Sequence, residues 1–233
     1  MLQTSLALEL ESAFDRARAV DAPLADRLAI IAETVRSIST EFAEAVDRLV
    51  GRLKEAGAGT GAPKAGEIMP DFLMPDETGR LVSLSEEVRK RPQVIVFHRG
   101  HWCPYCRLSI CGLADIQDQV APASILAICA ERSAFTKILK SESGARFPLL
   151  TDAGAGYALS LGLGIIVDDS MSSMIAAAGW DVPRYQGTGG WVLPIPAVFV
   201  VGTDRRIVAA QFDADYRRRM ELDDIIAAAH TAR

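Results

Sequence analysis

Cysteine is scarce in this 233-residue chain, with four copies, and aromatic residues make up only 6%. Four thiols in a chain this long are too few for the disulfide framework of a small secreted domain. The chain is 49% apolar, enough to bury a core without such staples. Long hydrophobic runs are also lacking: the longest stop at Arg, Asp or Pro, well short of the ~20 residues that a membrane-crossing helix needs. The opening Met1-Leu2-Gln3-Thr4-Ser5-Leu6 has no basic region, and Glu9 and Glu11 interrupt the apolar residues after it, which argues against a secretory leader. Strong charge of either sign is absent too. The net value is -5, and apart from Arg217-Arg218-Arg219 the basic residues are scattered, unlike the electrostatic footprint of a nucleic-acid binder. The chain is expected to be soluble and cytoplasmic, with neither membrane nor nucleic acid as a partner.

Apolar residues at Leu24, Leu28, Ile31, Val35, Ile38, Phe42, Val46, Leu49 and Leu53 alternate steps of three and four, the stripe of one long amphipathic helix. A shorter helix precedes it with Leu6, Leu10, Phe14 and Ala17 on one face, and Asp21 with Pro23 marks the stop between them. These two helices form an extension over residues 1–56. Two readings suit so long a stripe: packing onto its own domain, or a homodimer contact. Residues 57–66 are glycine-rich and low in bulk, as a linker would be, which leaves 67–233 as the main domain.

Within that domain, extended pieces flank the turn Asp76-Glu77-Thr78-Gly79, and Ser83-Leu84-Ser85-Glu86 has the form of a capping box. The apolar runs Val94–Phe97 and Ile125–Ile128 enclose a helical stretch from about Pro104 to Val120, a βαβ unit with parallel strands. A helix over 131–141, a strand over 147–150 and a helix over 157–163 come next. Residues 164–190 read as an insertion, followed by an antiparallel hairpin from Ala197–Val201 and Ile207–Ala210 and a closing helix from Glu221 to Ala229. The fold class is α/β, a mixed sheet covered by helices.

Three of the four cysteines crowd into positions 103 to 111, and His101-Trp102-Cys103-Pro104-Tyr105-Cys106 falls where a strand ends and a helix begins. A helix N-terminus favours thiolate through its unpaired N–H groups and dipole. Proline suits the first helical position, so Cys103 stands at the cap as the exposed, activated sulfur and Cys106 one turn further in. Cys106 is then placed to attack a modified Cys103 and close a disulfide. A bare C-x-x-C also serves metal sites, and His98 and His101 lie close by. A strand running into a helix spreads those four side chains in different directions, and no second C-x-x-C or H-x-x-x-H exists. Dithiol redox or peroxidase chemistry, without metal or cofactor, is therefore preferred to a metal site or a pair of structural thiols. Cys111 and Cys129 read as packing residues.

Phe97-His98-Arg99-Gly100-His101-Trp102-Cys103-Pro104-Tyr105-Cys106 resembles the strand-to-helix motif of the peroxiredoxin-like branch of the AhpC/TSA family. Gly66–Phe72 with Asp76–Arg80, Trp191–Ala197 and Asp215–Glu221 are similar to further segments of that family, so the resemblance runs from about residue 64 to the end. It implies a thioredoxin-like fold with Pro196 as a cis-proline facing the active cysteine. It implies that Cys103 is the peroxidatic and Cys106 the resolving thiol, reducing hydrogen peroxide or an organic hydroperoxide at the expense of thioredoxin or a similar thiol. Arg219, or else Arg99, would steady the thiolate, and Trp102 would shield the site. The family's peroxide-binding proline and hydroxyl, seven and three residues before the peroxidatic cysteine, are here Val96 and Gly100. A thiol-disulfide oxidoreductase using the same two sulfurs is the alternative, and a non-catalytic metal-binding or interaction module a second.

Overall fold

The computed structural model describes residues 2–233, with side chains from residue 6 onward. Its centre is a five-stranded mixed sheet of order β5-β4-β3-β8-β9. The strands are β3 (Gln93–Phe97), β4 (Ser124–Cys129), β5 (Leu149–Thr151), β8 (Ala197–Val201) and β9 (Ile207–Phe212). The first three are parallel, while β8 runs antiparallel to β3 and to β9. All five residues of β3 are buried, as expected of a central strand covered on both faces. Val94 and Val96 point into a cluster with Ile110, Leu113, Leu139 and Ile225. Ile95 and Phe97 point to the opposite face, toward Leu84, Phe199 and the active-site end.

Helix α5 (Pro104–Ile116) crosses from β3 to β4, α6 (Ser133–Ser143) from β4 toward β5, and α10 (Leu222–Thr231) closes the same face. Two hairpins lie outside the main sheet: β1 (Leu73–Pro75) with β2 (Leu81–Ser83), and β6 (Gly164–Ile166) with β7 (Val192–Pro194). Ser83 begins α4 (Leu84–Lys90), but the anticipated capping box does not form. The Ser83 hydroxyl lies 2.8 Å from that of Ser85, and the Asp71 carboxylate accepts the Ser85 N–H at 2.9 Å instead. A short helix α7 (Gly156–Ser160) leads to β6, and the segment between β6 and β7 folds into α8 (Asp169–Ala177) and α9 (Val182–Gln186).

The stripe expected to form one helix from Leu24 to Leu53 is broken at Ser39. That residue is extended, at φ -144°, and its side chain accepts the Phe42 N–H to start a new helix. The N-terminal region therefore comprises α1 (Leu2–Ala19), α2 (Leu24–Ile38) and α3 (Thr40–Glu55). Serine competes for its own backbone at such a site, so apolar spacing alone cannot reveal the break. Helix α2 begins at Pro23, which has no side-chain oxygen, and the Glu221 carboxylate caps it from the far end of the chain, accepting Leu24 N–H at 2.7 Å and Ala25 N–H at 2.9 Å.

The apolar stripe is covered within the chain. Helices α1 and α2 pack on α5, and α3 packs on α8. Leu28, Ile31, Val46 and Leu49 join the same cluster as Cys103 and Phe97. Charged contacts run along this seam: Arg107 reaches Glu11 at 2.5 Å while its guanidinium lies 4.2 Å from the Phe14 ring, Arg217 reaches Asp47 at 2.8 Å, and Arg52 pairs with Asp168. Residues 56–66 are a packed series of turns rather than a free tether. Ala62 is buried, and a side chain at Gly59 would meet Ile195 and Phe212.

Ile31 is wholly buried between the extension and the main domain. Ile31→Ala is expected to lower the unfolding free energy by about 2–4 kcal/mol, measured by urea denaturation, because the vacated volume cannot collapse against α5.

Candidate active site

Strand β3 stops where its outward run meets Gly100. His98 N–H still bonds Ile128 O at 3.0 Å, but Gly100 turns to φ +133°, where a side chain is strained. A Cβ there would also lie 2.4 Å from the carboxyl carbon of Glu131. That carboxylate is fully buried and accepts the His101 N–H at 2.8 Å, while His101 Nδ1 lies 2.7 Å from it. Phe135 stacks on the His101 ring. The absence of a hydroxyl at position 100 thus has a structural reason: the space is taken by Glu131.

The turn delivers Cys103 to the N-cap of α5 with Pro104 as the first helical residue, and Arg107 N–H bonding Cys103 O at 2.9 Å starts the helical ladder. Burial opposes ionisation of Cys103, yet a hydrogen bond from Cys106 and the charge of Arg99 hold its thiol well below the ordinary range. Burial and the neighbouring Cys103 push Cys106 the other way. The two shifts run in opposite directions, toward thiolate at Cys103 and toward thiol at Cys106, and the Arg99 backbone N–H lies 3.3 Å from the Cys106 sulfur.

Two arginines serve the two sulfurs. Arg99 Nη2 is 3.7 Å from Cys103 Sγ, whereas Arg219 Nη2 is 3.8 Å from Cys106 Sγ. Arg219, taken from the sequence as the first candidate partner of Cys103, thus stands beside the other sulfur. The Arg99 guanidinium is buried and lies 3.7 Å from the Tyr216 ring and 5.2 Å from that of Trp102. Trp102 donates Nε1–H to Arg99 O at 3.1 Å and tilts against Trp180.

Each sulfur also opens onto its own cavity. Cys103 lines one with Arg99, Trp102 and Tyr216, and Cys106 lines the other with His98, Pro196 and Arg219. Burial and nearby Arg219 drive the His98 pKa down to about 3, so the ring is neutral, and neither ring nitrogen has a hydrogen-bond partner. Among the described residues, no three His, Cys, Asp or Glu side chains gather at metal-binding distance.

Two expectations are corrected. The Ile195–Pro196 peptide is not cis: among the described residues the cis bond is Ala121–Pro122. Ile195 N–H bonds Leu163 O at 2.7 Å as the chain passes from β7 into β8, and Pro196 continues that path beside Cys106 rather than Cys103. Cys103 is not exposed either, at 0% accessibility, because α2, α3 and α8 roof it. Cys111 and Cys129 are buried thiols, and burial raises the pKa of both, Cys129 further through Glu131. Glu131 and Tyr216 were not recognised from the sequence as site residues. Tyr216 lay inside the segment of family resemblance, but Glu131, thirty-one residues beyond Gly100, carried no local signal.

A low-pKa cysteine at the start of a helix after a central parallel strand, with a second thiol one turn on, defines a dithiol protein of thioredoxin-like fold. The AhpC/TSA family model matches residues 65–210, and the chain belongs to that family. It is similar to Peroxiredoxin Q, chloroplastic, of Oryza sativa subsp. japonica, 31% identical over 96 residues, covering 40% of this chain and 44% of the relative. It is also similar to Peroxiredoxin Bcp of Escherichia coli, 34% identical over 62 residues, 27% of this chain and 39% of that protein. The chain thus spans less than half the length of these relatives. The fold resembles that of Peroxidoxin BcpB from Mycobacterium tuberculosis, with TM-score 0.56 and 23% identity over 73% of this chain and 98% of that one. A thiol peroxidase from Chromobacterium violaceum superposes with TM-score 0.54 and 14% identity over 73% of this chain and 88% of that one.

Two outcomes test this geometry. The ultraviolet absorbance of thiolate should persist well below the ordinary thiol pKa of about 8.5, and Arg99→Met should move its midpoint up by about 1–2 pH units. Gly100→Ala should cost about 2 kcal/mol or more, lowering Tm by roughly 5 °C in calorimetry, since both the backbone angle and Glu131 oppose a side chain.

Proposed function

We propose that the protein is a thiol-dependent peroxidase that reduces hydroperoxides through a Cys103/Cys106 dithiol-disulfide cycle. The observation that carries this reading is a cysteine favoured as thiolate yet wholly buried. A small oxidant reaches such a sulfur more readily than a bulky protein disulfide, for which the cover over the helix start must first open, and this favours peroxidase chemistry over the thiol-disulfide oxidoreductase alternative.

In the first step the Cys103 thiolate attacks the terminal peroxide oxygen, the O–O bond breaks, and the proton of the hydroperoxide ends on the departing oxygen. Cys103 is left as sulfenate and an alcohol or water leaves. The guanidinium of Arg99, 3.7 Å from the sulfur, stabilises charge as it moves onto oxygen. In the second step the Cys106 thiol, one helical turn away, attacks the protonated Cys103 sulfenic acid, and water leaves as the disulfide forms. A thioredoxin-type thiol then restores the pair by exchange, for which the cover over the helix start must open. Attack at Cys106 is favoured because Cys103, with its lowered pKa, is the better leaving sulfur.

Free thiols poised for this cycle suit a reducing compartment such as the cytoplasm. With the apolar stripe of α2 and α3 buried inside the chain, a homodimer would have to use a different surface.

Reduced protein mixed with one equivalent of hydroperoxide should form a Cys103–Cys106 disulfide within the mixing experiment, read by mass spectrometry of alkylated peptides. Cys106→Ser should stop at a Cys103 sulfenate trapped by dimedone, and Cys103→Ser should abolish peroxide consumption. Faster oxidation of Cys103 by small or protein disulfides than by any hydroperoxide would overturn the reading.

A further inference from the structure

His98 is a buried titratable group that neither step of the peroxidase cycle uses. It follows β3 directly, and its N–H still bonds Ile128 O at 3.0 Å, so the alternation of the strand carries through it. That alternation sets its side chain on the face of Val94 and Val96, toward α5. There it lines one cavity with Cys106 and Ser109 of α5, Pro196 and Arg219. The residue is only 2% exposed, and both ring nitrogens are without a hydrogen-bond partner. A neutral imidazole carries one donor and one acceptor, and leaving both unmet in the interior is costly. The cavity has about 20 Å³ of room, which suits one water, since a buried water needs roughly 10–15 Å³ and a few polar partners. His98, the Cys106 thiol and the Arg219 guanidinium are such partners on its wall.

We propose that His98 holds a water against Cys106 and that this water carries away the proton of the resolving thiol, which makes His98 the positioning residue of the second step. The inference rests on the peroxidase reading and deepens it. Cys106 enters that step as a thiol, because burial and the neighbouring Cys103 oppose its ionisation, and a thiol is a far weaker nucleophile than its anion. As the Cys106 sulfur closes on Cys103, its proton passes to the water while a proton of the water passes to the accepting ring nitrogen. The electron pair of the sulfur forms the S–S bond, the S–O bond of the sulfenic acid breaks, and the departing hydroxide takes up a proton to leave as water. One proton is lost at Cys106 and one is gained on oxygen, so the step is neutral overall.

The charged surroundings suit a group that passes a proton on rather than one that keeps it. Arg219 and His101 oppose a lasting positive charge on the His98 ring. Arg219 and Arg99 favour the nascent Cys106 anion, and the negative charge of Cys103, which opposes that anion in the reduced pair, is gone once Cys103 is a neutral sulfenic acid. The proton also has a way out, because Gln211, Arg218 and Arg219 line both this cavity and an open recess against α2. The cavity of Cys103 shares no lining residue with that of Cys106. Oxidant is thus handled on one side of the thiol pair and the proton on the other.

The test isolates disulfide closure from peroxide chemistry. One equivalent of methyl methanethiolsulfonate converts Cys103 of the full chain to its methyl disulfide, and expulsion of methanethiol by Cys106 is followed from pH 5 to 8 by acid quench and mass spectrometry. Closure after one equivalent of hydrogen peroxide is followed in the same way. In the natural chain the closure rate should vary less than about threefold over that range, because the proton is removed within the step itself. His98→Phe fills the place of the water, and His98→Gln keeps hydrogen bonds but cannot take up a proton. Each should slow closure at pH 7 by about tenfold or more relative to modification of Cys103 in the same sample, and each should make closure climb about tenfold per pH unit, since hydroxide must then supply the thiolate. The two substitutions give independent readings should one fold poorly. Closure that already climbs with pH in the natural chain, or that stays fast and flat in either folded variant, overturns the relay. If no hydroperoxide oxidises Cys103 the peroxidase reading falls, while the methanethiol measurement still decides the role of His98.

Discussion

A thiol buried away from water at the start of a helix, yet held toward its anion, is the constraint around which the molecule is arranged. Desolvation alone would keep Cys103 protonated, so its ionisation depends on groups delivered within a few ångströms: the Cys106 thiol, the N-terminus of α5 and the Arg99 guanidinium. Arg99 needs holding in turn, and Tyr216 supplies an aromatic face 3.7 Å away. Tyr216 sits between Asp215 and Arg217, and Arg217 binds both Asp215 and Asp47 of α3, so the segment that steadies the arginine is tied to the N-terminal helices. The charge state of one thiol thereby couples residues more than a hundred positions apart.

The turn before the motif shows how fold and chemistry constrain each other. Glu131 leaves the end of β4 to bind His101, and its carboxylate fills the space beside Gly100. A carboxylate buried at this depth must be hydrogen-bonded, and only glycine leaves room for that arrangement. No hydroxyl-bearing side chain can therefore stand at position 100. What remains around the Cys103 sulfur is the Arg99 guanidinium and the enclosed apolar space above it.

The N-terminal helices supply that shape. Their apolar residues bury against α5 and α8 and convert what would be an open helix terminus into an enclosed pocket. Seam contacts such as Arg107 with Glu11 and Arg52 with Asp168 lie partly in solvent and contribute modestly, so the hydrophobic stripe does most of the holding. Access to the thiolate and stability of the cover are consequently properties of the same contacts.

The local part of this design was legible in the residues themselves. Val94–Phe97 and Ile125–Ile128 read as strands because they are short apolar runs, Pro104 placed the helix start, and the C-x-x-C spacing put two sulfurs one turn apart. Family resemblance pointed to Arg219, ahead of Arg99, as the partner of the Cys103 thiolate, whereas packing sets Arg99 beside Cys103 and Arg219 beside Cys106. What tertiary structure alone decided is what surrounds those sulfurs. The break at Ser39 depends on a cap that apolar periodicity does not register, and the burial of Cys103 on helices that come both well before and well after it in the chain. Sequence determines which groups are available and their spacing along an element, because helix and strand geometry are local. Solvent access, pairing of charges and pKa depend on distances through space between elements, and those exist only once the chain has packed.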